Sequence, residues 1–231
     1  MKILIVSGFL GAGKTTFIKR LARNVDQRFA ILENEYGAAG IDGARLGQNR
    51  QGTQKNVWEM TEQCICCIGK KDFAASVLTI ANVVDPEYLI VEPTGVGSLA
   101  RIIENLRQIE YERIQLLSPV TIVDVYSYRR YMAEYPELYQ DQIRSADTII
   151  VSKTEACQAE EKQRIQKFLQ EINPQAKIIT DYASTMTRED YQSLLLGGRY
   201  EKEVQDTQSG EKMPETFSLS LIHISEPTRR S

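Results

Sequence analysis

At 231 residues, 42% of them hydrophobic, the chain can bury one substantial α/β core with a small appendage and leaves little room for two full domains. A net charge of −3 and a pI near 5.5 give no electrostatic reason to expect nucleic acid or an anionic membrane as partner. No apolar run approaches the roughly 18 residues that span a bilayer, and the first residues read as a core strand instead of a targeting segment, so the expected location is the cytoplasm.

The chain begins with Ile3, Leu4, Ile5 and Val6, a β-branched apolar run that suits a strand covered on both faces of a parallel sheet. Gly8-Phe9-Leu10-Gly11-Ala12-Gly13-Lys14-Thr15 then satisfies G-x-x-x-x-G-K-[ST], and Thr16 opens a helix through Phe17, Ile18 and Leu21. In this setting the glycines let backbone N–H groups turn toward a phosphate, and the helix N-terminus adds partial positive charge. Gly8, Gly11, Ala12, Gly13 and Thr16 are expected to line the nucleotide. Lys14 would reach the β- and γ-phosphates, and the Thr15 hydroxyl would hold Mg²⁺.

A second strand is predicted at residues 28–33, followed by a glycine-rich polar loop running to about residue 55. A connection of that length favours a functional segment over a plain turn. Residues 57–60 read as a short strand that leads into Cys64-Ile65-Cys66-Cys67. Three of the four cysteines crowd into this segment, whereas a secreted disulfide framework spreads its partners along the chain. Inert packing and redox chemistry through Cys64 and Cys67 are open alternatives, but thiolates at this spacing favour a transition-metal site, with Zn²⁺ as the expected ion and Co²⁺ or Ni²⁺ also able to fit. Three sulfurs leave a tetrahedral ion one ligand short. The only histidine, His223, lies near the C-terminus, so a carboxylate such as Glu35, Asp42 or Glu59, or a water, would complete the set.

An amphipathic helix is predicted over residues 71–83, and residues 88–91 form the next buried strand, ending in Glu92-Pro93-Thr94-Gly95. There the Glu92 carboxylate can face Mg²⁺ or its water, and the Gly95 N–H can face the γ-phosphate. A helix follows, with Leu99, Ile102, Ile103 and Leu106 on one face. Strands at residues 120–123 and 148–151 enclose a helical stretch from 126 to 146, broken at Pro136. Ser152-Lys153-Thr154-Glu155 after the later strand could read the base, Glu155 accepting from a guanine edge and the Lys153 stem covering the ring. A helix at 159–172, a strand at 176–180 and a helix at 188–196 complete the alternation. The expected architecture is therefore an α/β P-loop NTPase with a mostly parallel central sheet, helices on both faces and ligands at the carboxyl ends of the strands.

The domain expected over residues 1–198 gives way to a polar linker at 199–215. Residues 217–221 alternate like a strand with no further chain to pair with, so residues 216–231 read as the remnant of a largely missing C-terminal domain or a non-native tail.

Taken in order, GFLGAGKTT, Glu35-Tyr36-Gly37, Gly40-Ile41-Asp42, Glu59 ahead of CICC, EPTG, Val123-Asp124, and Gln142 ahead of Ala146-Asp147 resemble the CobW-type metallochaperone GTPases, kin to the nickel-insertion GTPases of urease and hydrogenase maturation. The resemblance covers about residues 1–196. It implies a GTPase in which residues 37–42 form a first switch, residues 92–95 a second, and the cysteines between them carry a transition metal for a client metalloprotein. It also implies a homodimer across the nucleotide face and a catalytic set of Lys14, Thr15, Glu92 and Asp42. Where the family's guanine motif has Asn-Lys-x-Asp, this chain has Ser152 and Glu155 at the Asn and Asp positions. Two rival readings of the same residues are a nucleotide-gated metal sensor with negligible turnover and a P-loop small-molecule kinase.

Overall fold

A computed structural model describes residues 1–27, 29–35, 57–58, 73–93, 95, 97–197, 199–201 and 218–221. Its centre is β1 (Lys2–Gly8), which pairs in parallel with β4 (Tyr88–Glu92) on one side and β6 (Val120–Asp124) on the other. Beyond β4 lie β2 (Phe29–Glu35) and β3 (Val57–Trp58); beyond β6 lie β7 (Thr148–Ser152) and β8 (Lys177–Ile179). All these pairings are parallel. The two-residue β5 (Gln115–Leu116) pairs with β1 at Lys2 and Ile3, while β6 takes over from Val6 to Gly8. The sequence pattern did not show β5, because two residues carry no period.

The strand β9 (Ser218–Leu221) forms as its alternation predicts, but it does have a partner: it runs antiparallel to β2 from Leu32 to Glu35. The expectation that nothing remained for it to pair with is corrected accordingly.

Helices cover both faces because the central strands are apolar on both. Leu4 and Val6 of β1 enter a core shared with Phe17, Ile18 and Leu21 of α1 (Lys14–Asn24) and with Tyr182, Tyr191 and Leu195. Ile3 and Ile5 point the other way, into a core with Val77 and Ile80 of α2 (Phe73–Val83) and Leu99, Ile103 and Leu106 of α3 (Leu99–Arg107). This is the period of two expected of a strand, with each row buried in a different layer. Tyr182 belongs to α7 (Tyr182–Thr185), a single turn that the sequence reading did not separate; Tyr191 and Leu195 belong to α8 (Arg188–Leu196).

The helical stretch interrupted at Pro136 is two helices, α4 (Tyr128–Glu134) and α5 (Pro136–Arg144). Proline has no N–H to give to α4 but is well placed at the first position of α5, so the break falls at Tyr135. With α6 (Ala159–Ile172) these helices close a third core over β6 and β7, including Tyr139, Ile143, Ile165 and Leu169.

At its far end α5 is held by Asn173, whose buried side chain donates to the carbonyls of Ile143 (2.8 Å), Arg144 (3.2 Å) and Ala146 (2.8 Å). These bonds add acceptor partners at a buried helix end, where the last carbonyls lack the next turn of helix. Replacing Asn173 with alanine is expected to lower stability by about 1–3 kcal/mol. The measurement is a urea titration, in which the midpoint should fall while the slope stays unchanged.

Candidate nucleotide site

The carboxyl ends of β1, β4, β6 and β7 bring the candidate residues together. β1 ends at Gly8 with φ 142°, and a Cβ there would stand 2.5 Å from the Ile122 carbonyl oxygen of β6. Only glycine allows both that backbone angle and that approach. The chain then turns, with Ala12 N–H donating to the Phe9 carbonyl at 3.1 Å, and enters α1 at Lys14 with Gly13 as N-cap. Phe9 is buried within an aromatic cluster, 4.6 Å from the ring of Tyr131 and 5.0 Å from that of Tyr139. The Tyr131 hydroxyl donates to the Leu10 carbonyl at 2.9 Å. The loop is thus fastened from α4 and α5, and it presents its helix N-terminus to solvent with Gly11 and Thr16 exposed.

Lys14 is buried, its ammonium 3.4 Å from the Phe9 carbonyl and 3.9 Å from Glu92 Oε1. Burial holds its pKa below the ordinary lysine value, against the opposing pull of the Glu92 charge. The Thr15 hydroxyl lies 3.2 Å from each Glu92 carboxylate oxygen. A hydroxyl and a carboxylate converging at the loop are hard oxygen donors, so the residues present fit Mg²⁺. Gly95 completes this corner: a Cβ on it would fall 2.4 Å from Leu10 N.

On the other side of β1, Ser152 at the end of β7 is buried and donates to the Ala12 carbonyl at 2.6 Å, with the Val123 carbonyl at 3.3 Å. This tether was missed from sequence, where Ser152 registered only as a departure from asparagine. Lys153, at φ 60°, places its ammonium 2.7 Å from Asp124 Oδ2. Asp124 also accepts from Tyr126 N–H and the Ser127 hydroxyl, both at 2.9 Å. Burial would raise the Asp124 pKa, but these hydrogen bonds and the Lys153 charge hold it below the usual carboxylate range. Glu155 is exposed beyond the same strand. Asp42, Glu59, Cys64, Cys66 and Cys67, together with the Glu35 side chain, lie outside the described residues, as does Thr94.

A buried strand, a glycine loop, a lysine at the first helical position and a facing carboxylate from the neighbouring strand define a P-loop nucleoside triphosphate-binding domain. Residues 2–180 match the family described as CobW/HypB/UreG, nucleotide-binding domain, and the chain belongs to that family. Among its relatives is the zinc chaperone YeiR of Escherichia coli, 30% identical over 178 residues, covering 76% of this chain and 53% of that protein. The zinc chaperone YjiA of the same organism is 27% identical over 186 residues, covering 77% of this chain and 56% of that protein. The chain spans about half the length of the curated relatives it matches. The crystal structure of Zn(II)-bound YjiA GTPase shares the fold with a TM-score of 0.58 at 20% identity, covering 81% of this chain and 58% of that one. HypB from Archaeoglobus fulgidus does so with a TM-score of 0.54 at 19% identity, covering 85% and 89%. The family resemblance and the fold class read from sequence are borne out. No helix among the described residues is long and apolar enough to cross a membrane.

The depressed pKa of Lys14 has a measurable consequence. A bound polyphosphate would favour the charged form, so binding should take up a proton at pH values below the ordinary lysine range and weaken as pH rises through them. Calorimetry in buffers of different ionisation enthalpy should show that uptake, and Lys14→Met should abolish it.

Proposed function

We propose that this chain is the GTPase domain of a metal-delivery protein that acts in the cytoplasm. It would hydrolyse GTP with Mg²⁺ as cofactor and carry a transition metal, Zn²⁺ foremost, to a client metalloprotein. The observation that carries the reading is the convergence of Lys14, Thr15 and Glu92 on one corner of the phosphate loop, in a chain whose relatives are named zinc chaperones.

The chemistry assigned to these residues is mostly positioning and charge. Lys14, desolvated and lightly countered by one carboxylate, neutralises the β- and γ-phosphates, and the backbone N–H groups at the start of α1 hold their oxygens. Thr15 and Glu92 would hold Mg²⁺, which when bound offsets the charge that develops on the departing phosphate. Glu92 faces either Mg²⁺ itself or a water, and Gly95 offers its N–H to the γ-phosphate. Asp42 is brought in by the first switch. Guanine is read by Glu155, with the Lys153 stem against the ring.

Cys64, Cys66 and Cys67 hold the metal as cargo, completed by Glu35 or Asp42. The γ-phosphate orders both switches and closes the thiolate site; hydrolysis loosens them and releases the ion. A second copy docks across the nucleotide face.

Such coupling is reciprocal, so Zn²⁺ affinity should be about 5–150-fold higher with a non-hydrolysable GTP analogue bound than with GDP, and Zn²⁺ should tighten the analogue by the same factor. Competition titrations with a chromophoric chelator read both. Equal metal affinities in the two nucleotide states would remove the delivery mechanism and leave a plain GTPase. Cys66→Ala should weaken metal binding and spare nucleotide binding, and multiple-turnover phosphate release with and without Zn²⁺ separates an enzyme from a metal sensor.

A further inference from the structure

Two adjacent side chains of α5 reach into the loop that follows Glu92. Asp141 is buried, and its Oδ2 accepts from Leu99 N–H at 2.7 Å and Ala100 N–H at 3.4 Å, the first N–H groups of α3. Gln142 is buried beside it and donates through Nε2 to the carbonyls of Gly95 (3.2 Å) and Gly97 (2.9 Å). The main-chain carbonyl of Gln142 accepts from the Thr121 hydroxyl at 2.9 Å, which fixes this turn of α5 to β6.

The same helix bears on the phosphate loop. Tyr139 packs edge-on against Phe9, and Gly95, held by Gln142, lies directly against the backbone of Phe9 and Leu10. One helix therefore grips both loops that would enclose the terminal phosphate. Gln142 Oε1 is buried and has no hydrogen-bond partner among the described residues, so the amide keeps accepting capacity for an N–H of the loop it already holds.

We infer that Asp141 and Gln142 are positioning residues: from α5 they latch the loop after Glu92 against the phosphate loop, and so set the preference of the site for a nucleoside triphosphate over a diphosphate. The inference rests on the nucleotide-binding reading proposed above. The two carbonyls that Gln142 holds belong to the loop on the γ-phosphate side. Loosening them leaves in place the bonds of Ser152 and Lys153 and the start of α1, on which a diphosphate would still bind.

The test compares wild type with Gln142→Met, which keeps the volume and removes both donors, and Gln142→Glu, which sets a carboxylate against two carbonyl oxygens. Affinities for GDP and for a non-hydrolysable GTP analogue are measured with Mg²⁺ by calorimetry. Both variants should lose at least about fivefold in the ratio of triphosphate to diphosphate affinity while GDP binding stays nearly unchanged. Equal losses for the two nucleotides would mark Gln142 as merely structural and overturn the inference. A wild type that binds neither nucleotide would remove the nucleotide reading itself, and the inference with it. Should the variants be too unstable to purify, hydrogen exchange of wild-type residues 95–101 decides: greater protection with the triphosphate analogue than with GDP supports the latch, and equal protection overturns it.

Discussion

The seat of Gly95 on the backbone of Phe9 and Leu10 is the contact on which the site depends. β1 and β4 run parallel in register, from Lys2 opposite Tyr88 to Ile5 opposite Val91, so the loops that leave them emerge side by side. They can meet backbone to backbone only because position 95 has no side chain; a Cβ would fall 2.4 Å from Leu10 N and 2.9 Å from the Phe9 carbonyl carbon. That closeness brings the Glu92 carboxylate level with the Thr15 hydroxyl. The strands cannot yield to relieve a misfit, since β1 is fixed from one face through Leu4 and Val6 and from the other through Ile3 and Ile5.

The charge balance at this corner explains why it suits a polyphosphate. Two unit charges about 4 Å apart attract by about 4 kcal/mol at an effective dielectric near 20, which is the setting of Lys14 and Glu92. Burial nevertheless wins, because the Lys14 pKa is lowered in spite of that partner. Among the described residues Glu92, at 3.9 Å, is the carboxylate that faces this lysine, and it does not outweigh burial. A group with several anionic oxygens at the N-terminus of α1 would add negative charge on the same side.

What the sequence disclosed was what local pattern encodes. The phosphate loop was legible because its residue types serve a backbone conformation within one turn of chain, and the break at Pro136 because proline acts on its own neighbours. The contacts between distant segments were not legible. A serine at a strand end has many possible partners, and nothing near Ser152 points to the Ala12 carbonyl that it holds. Phe9 reads as a variable position of the motif, yet it is the ring around which Tyr131 and Tyr139 assemble. The serine at the altered motif likewise ties the end of β7 to the phosphate loop, which its residue type alone does not announce.

These ties divide the site into two halves of different character. On the side of β6 and β7, Ser152 fastens the phosphate loop and Lys153 is paired with Asp124, so the ends of these strands and the loop are tied together. On the side of β4, the loop after Glu92 is held by side-chain bonds from α5. The sheet order places β2 and then the edge strand β3 beyond β4 on that same side, with Glu33 paired in register to Glu92. The segments that follow β2 and β3 in the chain carry Asp42 and then Cys64, Cys66 and Cys67. The two sides of the site are thus fastened by different elements, the end of β7 on one and α5 on the other.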